Sequence, residues 1–330
     1  MKAASEGVTG RPIIGRFKSA VVAGALFFSL GSSAALAEIS VIRDGTSHEA
    51  LFALDFDGQN GFAVGAPASI FQTTDGGASW ELLPRPTSAA FFGVTTSAGE
   101  TLIVGQQGLV LKRDGDAWRT IETPTGERLL NVHMIDDGLA AAVGGFGTII
   151  VSEDRGETWT QADIDWIDFN PEGLEPHIYD VHIGPGDLIT VIAEFELVVQ
   201  SRDRGVTWTR AHVGEPSLFA MHVEEDGSAF AVGQEGAIVR TDAIDGGTWE
   251  SLSIPEAGEA NLLGIWGDGQ GQKIITGIRK LLVSDDGGAT WTSRKDADIP
   301  TAWYQAIGAP DGDTVPVTVG HRGRILKVRP

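Results

Sequence analysis

The chain is 330 residues long, with 42% hydrophobic and 21% charged residues, an ordinary globular composition. It contains no cysteine, which excludes disulfides, thiolate metal sites and cysteine nucleophiles. Its formal net charge of −21 repels phosphate backbones and anionic lipid, so neither nucleic acid nor a lipid surface is an expected partner.

Residues 1–37 read as a secretory signal peptide. Arg11, Arg16 and Lys18 form a basic n-region, Ala20 to Leu30 an apolar core, and Ala35-Leu36-Ala37 a small-x-small cleavage site. The apolar run is short for a bilayer span, and no later segment resembles one. No direct membrane insertion is therefore expected after cleavage, and the lack of a following cysteine rules out a lipoprotein. Cleavage would remove four of the 24 basic residues and one of the 45 acidic ones, moving the net charge from −21 to −24. The expected location is the periplasm, with secretion or an uncleaved N-terminal anchor as alternatives. Residues 38–330 form the remaining domain, which opens on the β-prone segment Glu38-Ile39-Ser40-Val41-Ile42-Arg43.

After residue 50 one pattern recurs about seven times, and such a period overrides any domain count from length. Each copy begins with an apolar strand: Leu51 to Asp55, Phe91 to Val94, Leu129 to His133, Ile178 to His182, Leu218 to His222, Leu262 to Trp266 and Trp303 to Ala306. A second strand ends at Val64-Gly65, Val104-Gly105, Val143-Gly144, Val232-Gly233, Gly277 or Val319-Gly320. A third strand, such as Thr148 to Val151, runs into a turn of fixed chemistry. Thr73 to Trp80, Ser152 to Trp159, Ser201 to Trp208 and Ser284 to Trp291 share the form S/T-x-D-x-G-x-T/S-W, and Lys112 to Trp118 and Thr241 to Trp249 are degenerate copies.

The chemistry of this Asp-box turn explains its spacing. Asp75, Asp154, Asp203 and Asp286, with their Ser or Thr partners, can bond the backbone N–H groups of their own turn. Gly77, Gly156, Gly205 and Gly288 supply the turn conformation. Trp80, Trp159, Trp208 and Trp291 restart the chain and bury a large ring against a neighbouring repeat. Four short antiparallel strands per roughly 40 residues describe a propeller blade. The expected fold is an all-β, seven-bladed propeller of four-stranded antiparallel blades. The last repeat lacks an outer strand, so residues 38–43 are expected to complete it and close the ring.

The composite pattern L-x-x-V-x-(F/H), A-V-G-x-x-G-x-I, S-x-D-x-G-x-T-W resembles the BNR/Asp-box propellers. Within them it is most similar to the photosystem II stability and assembly factor family, over residues 48–328. The resemblance implies a non-enzymatic, exported scaffold that binds a protein partner and assists a membrane or envelope complex. Members in phototrophs chaperone photosystem II reaction-centre subunits. Their surface is associated with basic, arginine-rich character, whereas this chain is strongly acidic.

BNR repeats also occur in sialidases, so the alternative is a glycan-binding or glycan-hydrolysing propeller. Sialidase chemistry needs an arginine cluster and a tyrosine nucleophile. Tyr179 and Tyr304 both fall at the repeat position of Phe52, Phe92, Phe219 and Leu263, read as a core position, and the one Arg-Pro-Ile stretch is Arg11-Pro12-Ile13 in the leader. No catalytic residue is assigned. His133, His182 and His222 share one repeat position and should each face the neighbouring blade rather than a common centre. Asp163, Asp165 and Asp168 lack EF-hand spacing, and no Gly-rich phosphate loop occurs. Neither metal nor cofactor is expected.

Two irregularities point to a partner site. One is the long insertion Asp163 to Pro176, with Trp166 and Phe169; the other is the run Ala193-Glu194-Phe195-Glu196, where the Val-Gly-x-x-Gly rule fails. Both should lie on the face opposite the Asp-box turns. Phe146, Arg279, Lys280 and Arg322, at turn tips of the same face, complete the expected docking surface.

Overall fold

The computed structural model describes residues 39–170 and 173–329, so the expected leader lies outside the described residues. Seven four-stranded antiparallel sheets are arranged around a central channel, as expected. Blade one runs outward through Ala50–Asp57, Asn60–Ala66, Ser69–Thr73 and Glu81–Leu82. The inner strands of blades two to seven begin at Phe91, Leu129, Ile178, Leu218, Leu262 and Tyr304.

Each sheet is covered on both faces by its neighbours, which removes the need for polar alternation. The second strands Ala140–Gly144 and Leu188–Ala193 are buried at every residue. The core is divided among the blade interfaces. Between blades two and three, for example, Leu102 and Val104 pack with Val132, Ala142 and Trp159.

The four full Asp boxes adopt one geometry. Asp154 Oδ1 accepts from the Ser152 hydroxyl and from the Thr158 N–H, both at 2.8 Å, and its Oδ2 accepts from the Thr158 hydroxyl at 2.6 Å. The Ser152 hydroxyl oxygen accepts from Gly156 N at 2.9 Å, and Trp159 Nε1 donates to Gly156 O at 3.1 Å. Asp75, Asp203 and Asp286 repeat the network. Hydrogen bonds, led by the hydroxyls of Ser79, Thr207 and Thr290, hold these three carboxyls down at about 2. The box glycine lets the turn lie against the preceding blade: a Cβ on Gly156 would come within 2.7 Å of Leu102, and one on Gly205 within 2.8 Å of Val151. These turns are structural latches between blades.

Blade seven closes the ring. Ile39–Arg43 pairs antiparallel with Ile325–Val328, from Ile39 opposite Val328 to Arg43 opposite Ile325. Arg43 Nη1 donates to Gly323 O at 2.5 Å, Arg43 pairs with Glu49 at 3.1 Å, and its guanidinium stacks 4.2 Å above the Phe71 ring. The sheet contains strands from both ends of the domain, and Ile39–Arg43 covers the otherwise open edge of Ile325–Val328.

One position differs from the sequence reading. Tyr304 pairs with Gly320, just as Leu51 pairs with Gly65 and Phe91 with Gly105. Tyr304 is thus the buried counterpart of Leu51, not of Phe52, and it donates to Asp298 Oδ1 at 2.7 Å.

Candidate partner-binding face

Backbone hydrogen bonds define two faces. On one, three of the four full Asp-box turns bond the turn between the first two strands of their blade: Gly76 N to Gln59 O, Arg155 N to Gly138 O and Gly287 N to Gly271 O. On the other, the turns between second and third strands are clamped by the segments linking blades. Gln106 N donates to Ala90 O, Gly108 N to Glu127 O, Gly147 N to Pro176 O, and Arg279 N to Ala302 O. This second face carries the insertion and the Glu194–Glu196 run together.

Its centre is built by a repeated β-bulge. In all seven inner strands the register slips at the same point, as between Leu51 and Ala53 or Phe91 and Gly93. A bulge inserts one residue and re-aims its side chain. The inserted residues are Phe52, Phe92, Leu130, Tyr179, Phe219, Leu263 and Gln305. All seven line the channel and are partly exposed. The position read from sequence as core is therefore an apolar collar around the channel mouth, and Tyr179 belongs to it. Phe52 and Phe92 lie 5.6 Å apart between ring centroids, and Tyr179 and Phe219 meet edge-on at 4.9 Å. Rings extend the collar outward on two sides, through Trp303 and His321 beyond Phe52 and through His177 and Phe146 beyond Tyr179. Phe146 is 59% exposed.

The turn tips around this collar are strained. Gln107, Phe146, Phe195, Glu235, Arg279 and Arg322 all have φ between 51° and 65°. The left-handed region costs a residue with a Cβ about 1–2 kcal/mol relative to ordinary backbone. Glycine would avoid that cost, yet all six tips carry long side chains, and all but the half-buried Phe195 are exposed.

Charge is divided across the face. Arg85, Arg128, Arg279 and Arg322 are exposed, lie in turns or linking segments of this face, and form no side-chain hydrogen bond or ion pair among the described residues. Arg43, Arg119, Arg202, Arg204, Arg240 and Arg324, in contrast, are paired with carboxylates. Glu194 and Glu235 stand at the tips of blades four and five. Tyr179 lies between the two signs: burial raises its hydroxyl pKa, Glu194 raises it further and Arg128 opposes.

Several expected contact residues have other roles. Trp166 is 6% exposed and packs in the core of blades three and four, beneath Gly147, where a Cβ would come within 2.1 Å of its Nε1. It pins the insertion down instead of offering an anchor. Phe169 is half-buried against it, with ring centroids 5.7 Å apart. Glu196 is buried at 7%, 3.3 Å from both His212 Nε2 and Ser251 Oγ. Glu194 Oε2 accepts from His177 N at 2.9 Å, and Lys280 Nζ donates to Glu256 O at 2.8 Å. Phe195 is half-buried, whereas Phe146, Arg279 and Arg322 stand free. Sequence reading missed the collar, Arg85 and Arg128. The signal for the collar was the apolar residue directly after the first buried residue in six of seven repeats.

Below the collar the wall is polar and internally bonded. Asp55 Oδ2 accepts from Thr96 N at 2.7 Å, Asp180 Oδ2 from Met221 N at 2.7 Å, and His133 Nδ1 from Ile183 N at 2.9 Å, each reaching into the next blade. His133 and His182 stack at 5.1 Å. Among the described residues no group of three His, Asp or Glu side chains is placed to hold a metal.

Burial pushes Asp55 and Asp180 up to about 7 and pulls His133 down to about 4 and His182 to about 3. Between pH 4 and 6.5 the folded state holds two protons on the carboxyls, and the unfolded chain holds two on the histidines. The opposing slopes cancel. Asp55→Asn with Asp180→Asn is expected to make stability rise with pH across that window. His133→Gln with His182→Gln is expected to make it fall. Each slope is about 1 kcal/mol per pH unit after discounting for channel water. Urea denaturation at several pH values checks this, and parallel profiles for all three proteins would refute it.

At the opposite end of the channel, Lys273, 5% exposed, pairs with Glu224 and lies 5.0 Å over the Phe230 ring. His222, whose Nε2 lies 3.6 Å from Glu224 Oε1, and the hydrogen-bonded Lys273 ammonium hold the Glu224 carboxyl down at about 2. Lys273 and Glu224 neutralise each other, while the buried His222 Nε2 has no hydrogen-bond partner among the described residues.

Comparison with known proteins places the chain. The family model described as Photosynthesis system II assembly factor YCF48 matches residues 37–329. A photosystem II assembly lipoprotein Ycf48 from Synechococcus sp. (strain CC9902) is 24% identical over 285 residues, covering 84% of this chain and 71% of the relative. The photosystem II assembly protein Ycf48 of Synechococcus sp. (strain JA-2-3B'a(2-13)) is 28% identical over 290 residues, covering 81% of each. Among solved structures, YCF48 bound to D1 peptide aligns with a TM-score of 0.69 at 20% identity, covering 89% of this chain and 97% of that one. YCF48 from Cyanidioschyzon merolae gives 0.68 at 20% identity, covering 88% and 98%. These structural likenesses speak for the fold, and the family match extends over nearly all of the propeller: the chain belongs to the photosynthesis system II assembly factor YCF48 family.

Proposed function

We propose that this protein is a non-enzymatic assembly factor that binds a protein partner of a membrane or envelope complex through the collar face. The observation that carries the reading is the coincidence, on one face, of a half-exposed aromatic collar, strained tips with long side chains and four unpaired arginines. Aromatic and arginine side chains dominate protein interfaces. A relative in the same family is known bound to a D1 peptide, which supports a protein ligand. The channel carboxylates Asp55 and Asp180 belong to blades one and four, and each is engaged with backbone N–H groups, which disfavours a glycosidase pair. The leader-like residues 1–37 support action outside the cytoplasm, in the periplasm, where cell fractionation would test it.

The test is crosslinking of the tagged mature protein in its native envelope. One membrane complex is expected to be captured, and capture should fall about tenfold for Arg279→Glu with Arg322→Glu, as rim charges tune association. Absence of any stoichiometric protein would refute the reading, as would retention of a glycan with no protein.

A further inference from the structure

Resting on that reading, we infer that the channel mouth is an insertion socket. It receives a single aromatic or branched apolar side chain, carried along the channel axis on a protein segment that is acidic on one flank and basic on the other.

Three observations lead there. First, the collar does not close over a packed layer. The channel holds a cavity of about 460 Å³, lined from the collar residues Phe52 and Tyr179 down to Asp55 and His133 by residues of all seven inner strands. That is the size of a site for a small ligand or one large side chain rather than for a folded domain. Second, collar and cavity differ in character. The mouth is apolar at six of seven positions, while the deeper polar groups Asp55, Asp180 and His133 are already bonded to backbone. An entering group meets apolar contact first, at a mouth that carries no charged side chain among its seven collar positions, so an apolar side chain fits and a charged tip does not. Third, the rim is polar in a fixed direction. Arg279, Arg322, Arg85 and Arg128 follow one another round blades six, seven, one and two, and Glu194 and Glu235 stand at blades four and five, facing them across the mouth. A segment crossing the mouth meets cations on one side and carboxylates on the other, which fixes its direction. A second copy of the chain is disfavoured as the occupant because its net charge repels its own kind.

The socket is tested with disulfide-cyclised hairpin peptides that carry Trp at the tip, two Asp on one flank and one Lys on the other. A matched peptide has Ser at the tip. The mature protein is expected to bind the Trp peptide at least about 30-fold more tightly than the Ser peptide, the loss typical of removing a central aromatic anchor. Gln305→Trp, which fills the mouth without removing any packing, is expected to abolish that preference, and Phe52→Ala with Phe219→Ala to reduce it strongly. Equal binding of the two peptides overturns the socket, and so does an undiminished preference in Gln305→Trp. Failure of both peptides to bind wild type at about 1 mM also overturns it, as does self-association of wild type that Gln305→Trp abolishes. The two readings separate in the envelope crosslinking experiment. Capture of the complex by Gln305→Trp at the wild-type level would refute insertion and leave protein binding standing, whereas no capture by wild type removes both.

Discussion

Trp159→Ala is expected to destabilise the propeller by about 3–5 kcal/mol in chemical denaturation, the usual range for emptying a large aromatic site. The ring is 8% exposed, packs among residues of blades two and three, and donates from Nε1 to Gly156 O at 3.1 Å. Its removal opens a void at a blade interface and also frees the restart of the outer strand after the Asp box. Trp208→Ala occupies the equivalent place in blade four, where the ring is only partly buried, and should cost less. Equal losses would show that the tryptophans act through turn geometry alone and not through burial between blades.

The second large effect concerns closure. A mature chain lacking residues 38–43 is expected to lose at least about 3 kcal/mol and to associate in solution. The deletion removes Ile39 and Ile42 from two blade interfaces and breaks the Arg43 contacts with Gly323, Glu49 and Phe71. It also exposes the edge of Ile325–Val328, and unpaired edges invite pairing with another chain. Unfolding curves and size-exclusion elution measure both consequences. A monomer of unchanged stability would mean that the first strand is an ornament of blade seven and not its lock. Adding a peptide of residues 38–43 in trans should restore the monomer.

The fold was legible because it is written repeatedly. Four near-identical turns, each with Asp, Gly and Trp at fixed offsets, leave little freedom in what Ser152 to Trp159 can build. The closing strand was legible by subtraction, since the last repeat lacked an outer strand and Ile39 to Arg43 lacked a partner. Register was harder. Trp303, Tyr304 and Gln305 offer two bulky residues in succession, and only the pairing of Tyr304 with Gly320 decides which is core and which stands beside the bulge. The collar escaped notice for the same reason. A bulge moves every second-position side chain from the sheet interior to the channel, and strand periodicity assumes no bulge. Trp166 shows a different limit: an aromatic residue in a long loop suggests an exposed anchor, but the space under Gly147 that swallows its ring comes from a glycine 19 positions earlier. Which arginines lack a carboxylate is likewise decided by neighbours that are distant in sequence.

The pairing of Ile39 with Val328 also sets how the ring responds to force. The two ends of the domain leave blade seven side by side, at the same end of an antiparallel pair. Tension applied between them would load the backbone hydrogen bonds one after another, as in a zipper, not all together in shear. The lock that completes the ring is therefore the seam that such tension loads first. A tether pulling on both termini would peel that strand away before the Asp-box latches between the other blades yielded.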